Sequence, residues 1–316
     1  MKAAVRARYG APAEVVRVVE REKPVPGADE VLVRVAAAGL NSADWRMTRA
    51  DPRFMRLVFG LSKPRDERLG MDVAGTIEQV GAGVTTLAVG DRVFGEVAGA
   101  FAEFVVAPAS RLSRVPSGVE LADAAALALS GVTALQAVDL VAVTEGSRVL
   151  VIGASGGVGT YCVQLAAARG AHVTAVCSTN NIDHVRAAGA ERVIDYTHES
   201  VSGIYDAIIE LAVVAPLREM RRLLAPRGVI VLSSGDGGFF GPLPRIVASV
   251  VTPGAKVLAA SATPARLAEV AARAAAGDIR PVITARFALD DAANGIAHVD
   301  GGHCRGKAII EVAAAD

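Results

Sequence analysis

The stretch best suited to chemistry is Gly153-Ala154-Ser155-Gly156-Gly157-Val158-Gly159, which follows the apolar run Arg148-Val149-Leu150-Val151-Ile152. Small residues let a chain turn sharply from strand to helix and bring backbone N–H groups against a diphosphate, whose charge the helix N-terminus favours. The dinucleotide-loop spacing of glycines at i, i+2 and i+5 is met by Ala154, Gly156 and Gly159, with alanine in first place. Such a loop can also be a plain strand-to-helix turn. Its place at the head of a strand–helix alternation favours phosphate binding by Ala154, Ser155, Gly156, Gly157, Val158 and Gly159. About 20 residues further on, an acidic residue would hold the ribose 2′-hydroxyl of NAD. The chain there reads Ala175-Val176-Cys177-Ser178-Thr179-Asn180-Asn181, with no acid before Asp183. Ser178 and Thr179 can meet a 2′-phosphate instead, which favours NADPH over NADH. The same polar stretch can alternatively cap the helix that follows, through Asn181 and Asp183.

The other reactive types are sparse. Cys162, Cys177 and Cys304 are too few and too scattered for a disulfide framework or a four-thiolate zinc site. His172, His184, His198, His298 and His303 show no ligand-like pairing and are expected on the surface or on helices.

Two kinds of element must position these residues. The first third alternates with a period near two, which predicts strands over Lys2–Arg8, Val15–Glu20, Glu30–Ala38, Asp72–Val80, Arg92–Phe94 and Ala102–Ala107. Short strands at this spacing suggest a partly open barrel. Between them lie a short helix over Asn41–Arg49 and a long basic, proline-interrupted excursion over Asp51–Arg68. From about Leu121 the rhythm becomes strand–helix alternation. Strands are predicted at Arg148–Ile152, His172–Cys177, Arg192–Ile194, Ala207–Ile209, Gly228–Leu232 and Lys256–Ala259, as in a doubly wound parallel sheet. The tail, with strands near Val282–Phe287 and Lys307–Val312, reads as returning to complete the first domain.

Composition bounds the rest. The 316 residues suit about two domains at roughly 150 residues each. A hydrophobic share of 52% supports a large core and excludes a disordered chain. Lys plus Arg equals Asp plus Glu at 33 each, and aromatics are 4%, so neither a basic stripe nor a base-stacking platform marks a nucleic-acid partner. The most apolar window, Leu121–Val143, is broken by Asp123, Gln136 and Asp139. It reads as two Ala-rich helices against a core rather than a membrane span. The N-terminus lacks a signal-peptide pattern, so a cytoplasmic protein without a membrane partner is expected.

Further markers run along nearly the whole chain. They are Ala38-Gly39-Leu40-Asn41-Ser42-Ala43-Asp44-Trp45, Gly70-Met71-Asp72-Val73-Ala74-Gly75, Val80-Gly81-Ala82-Gly83-Val84, Gly90-Asp91-Arg92-Val93-Phe94-Gly95, Gly131-Val132-Thr133-Ala134, Val193-Ile194-Asp195-Tyr196 and Gly302-His303-Cys304-Arg305-Gly306-Lys307. With them the chain resembles the zinc-independent quinone oxidoreductases (zeta-crystallin-like) of the medium-chain dehydrogenase/reductase superfamily. The resemblance implies an α/β fold, with a GroES-like β-barrel domain from residues 1–120 and 265–316. A six-stranded doubly wound Rossmann domain would span 121–264. It implies an NADPH-dependent oxidoreductase passing hydride to a quinone or an α,β-unsaturated carbonyl. An enoyl-type reductase of a biosynthetic pathway and a non-catalytic NADPH-binding sensor stand as alternatives.

Residue by residue, the resemblance implies Asn41 and Asp44 as catalytic. Asn41 would lie beside the nicotinamide as a donor to cofactor or substrate, and Asp44 would either move a proton or cap the Asn41 helix. Thr133 would hydrogen-bond the nicotinamide end or a phosphate, Ser233, Ser234 and Gly235 would face the nicotinamide, and Tyr196 would sit against the adenosine end. Trp45 would be a core anchor or an active-site wall. Zinc-dependent relatives carry Cys-x-x-Asp and Gly-His-Glu motifs, where this chain has Asn41-Ser42-Ala43-Asp44 and Gly70-Met71-Asp72. An amide and a thioether are poor zinc ligands, so no metal is expected. Two departures stand out: Asn180 replaces a residue that is often basic, and Glu210–Val214 replaces a stretch that commonly ends in glycine. A homodimer joined through the Lys256–Ala259 edge is implied as well.

Overall fold

Glu30–Leu40 buries almost every side chain, as befits the central strand of its sheet. One edge pairs antiparallel with Asp72–Val80. The other is shared: residues 30–34 pair with Phe104–Pro108, and residues 37–40 with Lys307–Glu311. The full order is Ile283–Ala288, Lys307–Glu311, Glu30–Leu40, Asp72–Val80, Arg92–Glu96 and Leu112–Arg114, with Phe104–Pro108 off that path. A separate hairpin joins Lys2–Arg6 to Val16–Glu20. Val31, Val33, Val73, Ile77, Phe101 and Ile310 are among the residues that fill this core. The structure, a computed structural model, describes residues 1–213, 215–233, 247–250, 252–300 and 304–312.

The second sheet is wholly parallel. Its order is Arg192–Asp195, His172–Cys177, Arg148–Ile152, Tyr205–Glu210, Leu224–Leu232 and Ala255–Val257. In chain order that is 3-2-1-4-5-6, the doubly wound dinucleotide-binding arrangement expected from the alternation. Strands covered on both faces read as continuous apolar runs, and Leu150, Ile152, Val176, Ile194, Ile208 and Ile230 form the core here.

Several boundaries differ from the sequence-based expectation. The first strand stops at Arg6, and a short helix, Pro12–Val15, precedes the second. The strand Leu112–Arg114 is too short for its pattern to announce it. Leu121–Leu140 is one helix rather than two, because no proline interrupts its Ala- and Leu-rich run. It is long and apolar enough to cross a membrane by length and composition, yet 72% of its most apolar window is buried inside the protein. The chain divides into one unit of Met1–Val132, Ser261–Gly277 and Pro281–Asp316 and a second of Thr133–Ala260 and Asp278–Arg280. The first division therefore falls inside the long helix, about a dozen residues later than the expected boundary at 121. Its physical reason is that Leu129 and Ser130 hydrogen-bond to Asp72 and Asn41 of the first unit.

Candidate active site

In the second unit, the phosphate loop leaves the C-terminal end of the Arg148–Ile152 strand and enters the helix Gly157–Ala168. This strand and its neighbour Tyr205–Glu210 flank the point where strand order reverses, the usual ligand crevice of such sheets. The left-handed turn falls on Gly153, with φ of 78°, so the turning role expected of Ala154 belongs one residue earlier. Gly159 sits so close to the preceding turn that an added Cβ would lie 2.2 Å from the Gly153 carbonyl oxygen. Gly156 faces open space instead: its added Cβ would meet only that same oxygen, at 3.7 Å. A tight turn, a close helix–strand approach and an open middle position form the shape a diphosphate needs.

At the end of the second strand, Thr179 donates its hydroxyl to Asp195 Oδ2 at 2.6 Å and shares a 3.1 Å contact with the Thr197 hydroxyl. The Thr179 and Thr197 hydroxyls hold the Asp195 carboxyl far below the usual carboxylate range. Asn181 donates to the Ser178 hydroxyl oxygen at 3.2 Å, which leaves the Ser178 proton free to point outward. Tyr196 is exposed, and its N–H bonds the Cys177 carbonyl at the same strand end. Thr133 is buried on the long helix, and the Ser233 N–H bonds the Glu210 carbonyl. Ser234 and Gly235 lie outside the described residues, as do Val214 and the Gly302-His303 pair.

The first unit holds a buried polar network that no motif predicted. Its hub is Lys307, 3% exposed, which donates to Asn41 Oδ1 at 2.7 Å, the Ser130 hydroxyl at 3.0 Å and the Leu40 carbonyl at 3.0 Å. Three acceptors satisfy all three ammonium protons. Asn41 in turn donates Nδ2 to Asp72 Oδ2 at 3.0 Å and to the Gly39 carbonyl at 3.4 Å. Asp72 also accepts from the Leu129 N–H at 3.2 Å, and its Oδ2 stands 3.9 Å from the Lys307 ammonium. The lysine fixes which end of the Asn41 amide is oxygen. Both amide hydrogens are therefore engaged inside the protein, and Asn41 does not point a free donor outward as expected. Sheet register explains the assembly: Ala308 pairs with Leu40, so Lys307 comes beside the start of the Asn41 helix.

Asn41 caps the helix Ser42–Arg49, and its own N–H bonds Asp44 Oδ2 at 2.8 Å. The capping expectation for Asp44 is thus the contact observed. Burial pushes the Asp44 carboxyl up to about 7, and nearby Asp72 adds to the effect while the Asn41 N–H opposes it. Burial likewise raises Asp72 to about 6, against the pull of Lys307, and lowers Lys307 against the pull of Asp72 and Asp44. Asp44 also lines a cavity of about 670 Å³ in this unit. Trp45 packs on the core of the unit, as an anchor. Among the histidines, His184 is buried and bonds the Thr160 hydroxyl at 2.9 Å, while His172 and His198 are exposed beside Glu191 and Asp195. What sequence reading missed is Lys307, Ser130 and Asp72. The available signal was a charge opening each apolar strand, Lys307 before Ala308-Ile309-Ile310 and Asp72 before Val73-Ala74.

Residues 27–117 match the alcohol dehydrogenase GroES-like domain, and residues 188–310 match the zinc-binding dehydrogenase family. The chain is 32% identical over 96% of both chains to a chloroplast envelope quinone oxidoreductase homolog of Arabidopsis thaliana. It is 31% identical to a mitochondrial NAD(P)H oxidoreductase of Mus musculus, over 90% of this chain and 82% of that protein. The quinone oxidoreductase of Coxiella burnetii has a similar structure, with a TM-score of 0.86 and 26% identity over 99% of each chain. A zinc ion does not suit the donors present here. Among the described residues no three His, Cys, Asp or Glu side chains come together. At the Asn41 and Asp72 positions an ammonium already supplies the positive charge.

Proposed function

The chain belongs to the quinone oxidoreductase branch of the medium-chain dehydrogenase/reductase family and is an NAD(P)H oxidoreductase; within that, we propose that it prefers NADPH, works without zinc and reduces a quinone or an α,β-unsaturated carbonyl. The observation that carries this reading is the Gly153–Gly159 loop, open at Gly156 and set where strand order reverses. When bound, NADPH supplies a hydride. The loop's N–H groups and the helix start hold the diphosphate. Ser178, Thr179 and Tyr196 serve the adenosine end, and Thr133, Ser233, Ser234 and Gly235 the nicotinamide end. The preference for NADPH is supported by the lack of any acid between Cys177 and Asp183 and by the Ser178 hydroxyl.

On the substrate side, hydride arrival leaves negative charge on a carbonyl oxygen. Asp44 can carry the proton that balances it. Its Oδ2 accepts the Asn41 N–H, so the proton resides on Oδ1. A carboxyl near 7 is both loaded and able to release at neutral pH. Asn41, clamped by Lys307, Ser130 and Asp72, holds Asp44 in place through that N–H and is a positioning residue in this reading.

Two copies are proposed to associate through the Ala255–Val257 edge, whose exposed apolar residues include Val257 and the neighbouring Val250. A monomer by light scattering refutes that association. The activity is tested by following reduced-nicotinamide absorbance with a panel of quinones and enones. Turnover that survives dialysis against a chelator supports the zinc-free reaction, and metal-dependent turnover overturns it. Tight NADPH binding with no turnover on any panel member overturns the enzyme reading in favour of a sensor.

A further inference from the structure

Arg6 ends the first strand, is 2% exposed, and lines the 670 Å³ cavity of the first unit. Among the described residues its Nε is a buried donor with no hydrogen-bond partner, and Arg6 forms no ion pair. Burial lowers its basicity, and Tyr9, Asp66 and Asp44 oppose that. An unmatched buried guanidinium is costly, and a planar fork of donors is shaped for a carboxylate.

The acids on the cavity wall are committed elsewhere. Asp66 is held by both the Nε and the terminal nitrogen of Arg68, at 3.0 and 2.8 Å. Glu30 accepts the Gly27 N–H, and Asp44 accepts the Asn41 N–H. Burial raises the Glu96 carboxyl, and Arg111 on the same wall opposes that shift. Arg68 is taken up by Asp66, and Arg65 and Arg111, which also line the cavity, are exposed, so Arg6 is the buried cation on this wall that an incoming anion can pair with. Phe59, Met71, Val97 and Val106 offer an apolar wall for the body of the ligand, and the volume is ordinary for a small-molecule site.

We propose that this cavity binds the carboxylate of a small organic acid through Arg6, so that the acceptor reduced by this protein is an enone or quinone bearing a carboxylate. The substrate assignment rests on the reductase reading; the carboxylate site itself does not.

The test compares trans-4-carboxybenzalacetone with its methyl ester on the full chain, first by calorimetry without cofactor and then by turnover with NADPH, at constant ionic strength. The acid is expected to bind at least about tenfold more tightly than the ester, in keeping with a charge-assisted hydrogen bond. Arg6→Met is expected to bring the ratio close to one, and Arg6→Lys to leave it between the two. Should Arg6→Met fail to fold, Arg6→Lys and the wild-type ratio decide the matter. Equal binding of acid and ester overturns the site. So does inorganic phosphate displacing the acid while the acid shows no preference over the ester. Acid preference without turnover of any acceptor leaves the site standing and removes the reductase reading. Turnover of quinones without acid preference does the reverse.

Discussion

The Gly153–Gly159 loop draws everything it uses from consecutive residues, whereas the Lys307 network is assembled from positions 41, 72, 130 and 307. The loop works through backbone N–H groups and the absence of side chains. The network works through buried side chains brought together from four elements. A backbone device tolerates no added atom where it is tight, but is indifferent where it is open. A side-chain device tolerates changes of shape better than loss of charge balance, because each member is the partner that makes another's burial affordable.

The sharpest way to break this comparison is to unbalance the network. Lys307→Met leaves Asp72 and the Asn41 carbonyl without their cation, and a cost of about 3–5 kcal/mol is expected in denaturant unfolding. Adding Asp72→Asn should recover a substantial part of it, since both charges are then gone. A double variant no better than Lys307→Met would show that the lysine acts by packing alone.

Next comes the loop, where two alanines should part company. At Gly159 the new Cβ would lie 2.2 Å from a carbonyl oxygen, so Gly159→Ala should cost about 1–3 kcal/mol in stability and abolish measurable NADPH binding. At Gly156, φ is −75° and the space is open, so Gly156→Ala should keep the melting temperature within about a degree and weaken NADPH about tenfold. Equal effects at the two positions would contradict the open cradle.

The smallest effect sharpens the network's protonation. Asp44 has an ordinary value of 3.8 that burial raises to about 7 in the folded protein. The folded state thus binds this proton more tightly than the unfolded state, and its contribution to stability is lost as pH rises between those two values. Asn at this position can still accept the Asn41 N–H. Asp44→Asn should therefore gain on the wild type by several degrees in melting temperature between about pH 4 and about pH 8. A difference that stays constant with pH would show that Asp44 is an ordinary ionised carboxylate.

How much of this was legible in the sequence depended on how local the signal was. Parallel-sheet order followed from strand–helix alternation, and the phosphate loop from its small residues between an apolar strand and a helix. Even there the φ of 78° fell on Gly153 and not on Ala154, because the spacing of glycines does not say which residue turns. Asn41 and Asp44 were singled out together, and the structure joins them through the Asn41 N–H, yet the direction of the Asn41 amide was not legible. It depends on a lysine 266 positions away. Thr179 was singled out from its place after the second strand; that its hydroxyl donates to Asp195, which the next strand delivers, was not legible there.

By itself, then, the order of amino acids determined the two architectures, the small-residue turn between the Arg148–Ile152 strand and its helix, and the want of thiolate and imidazole in the Asn41–Asp44 and Gly70–Asp72 stretches. Each of these is set by short-range geometry or by the identity of single residues. Only the tertiary structure decided that Lys307 stands between Asn41, Ser130 and Asp72, and that the buried Arg6 Nε has no partner among the described residues, beside a cavity. The reason is register. Which distant side chains meet is fixed by how strands far apart in the chain align, as Ala308 does with Leu40, and no local pattern encodes that alignment.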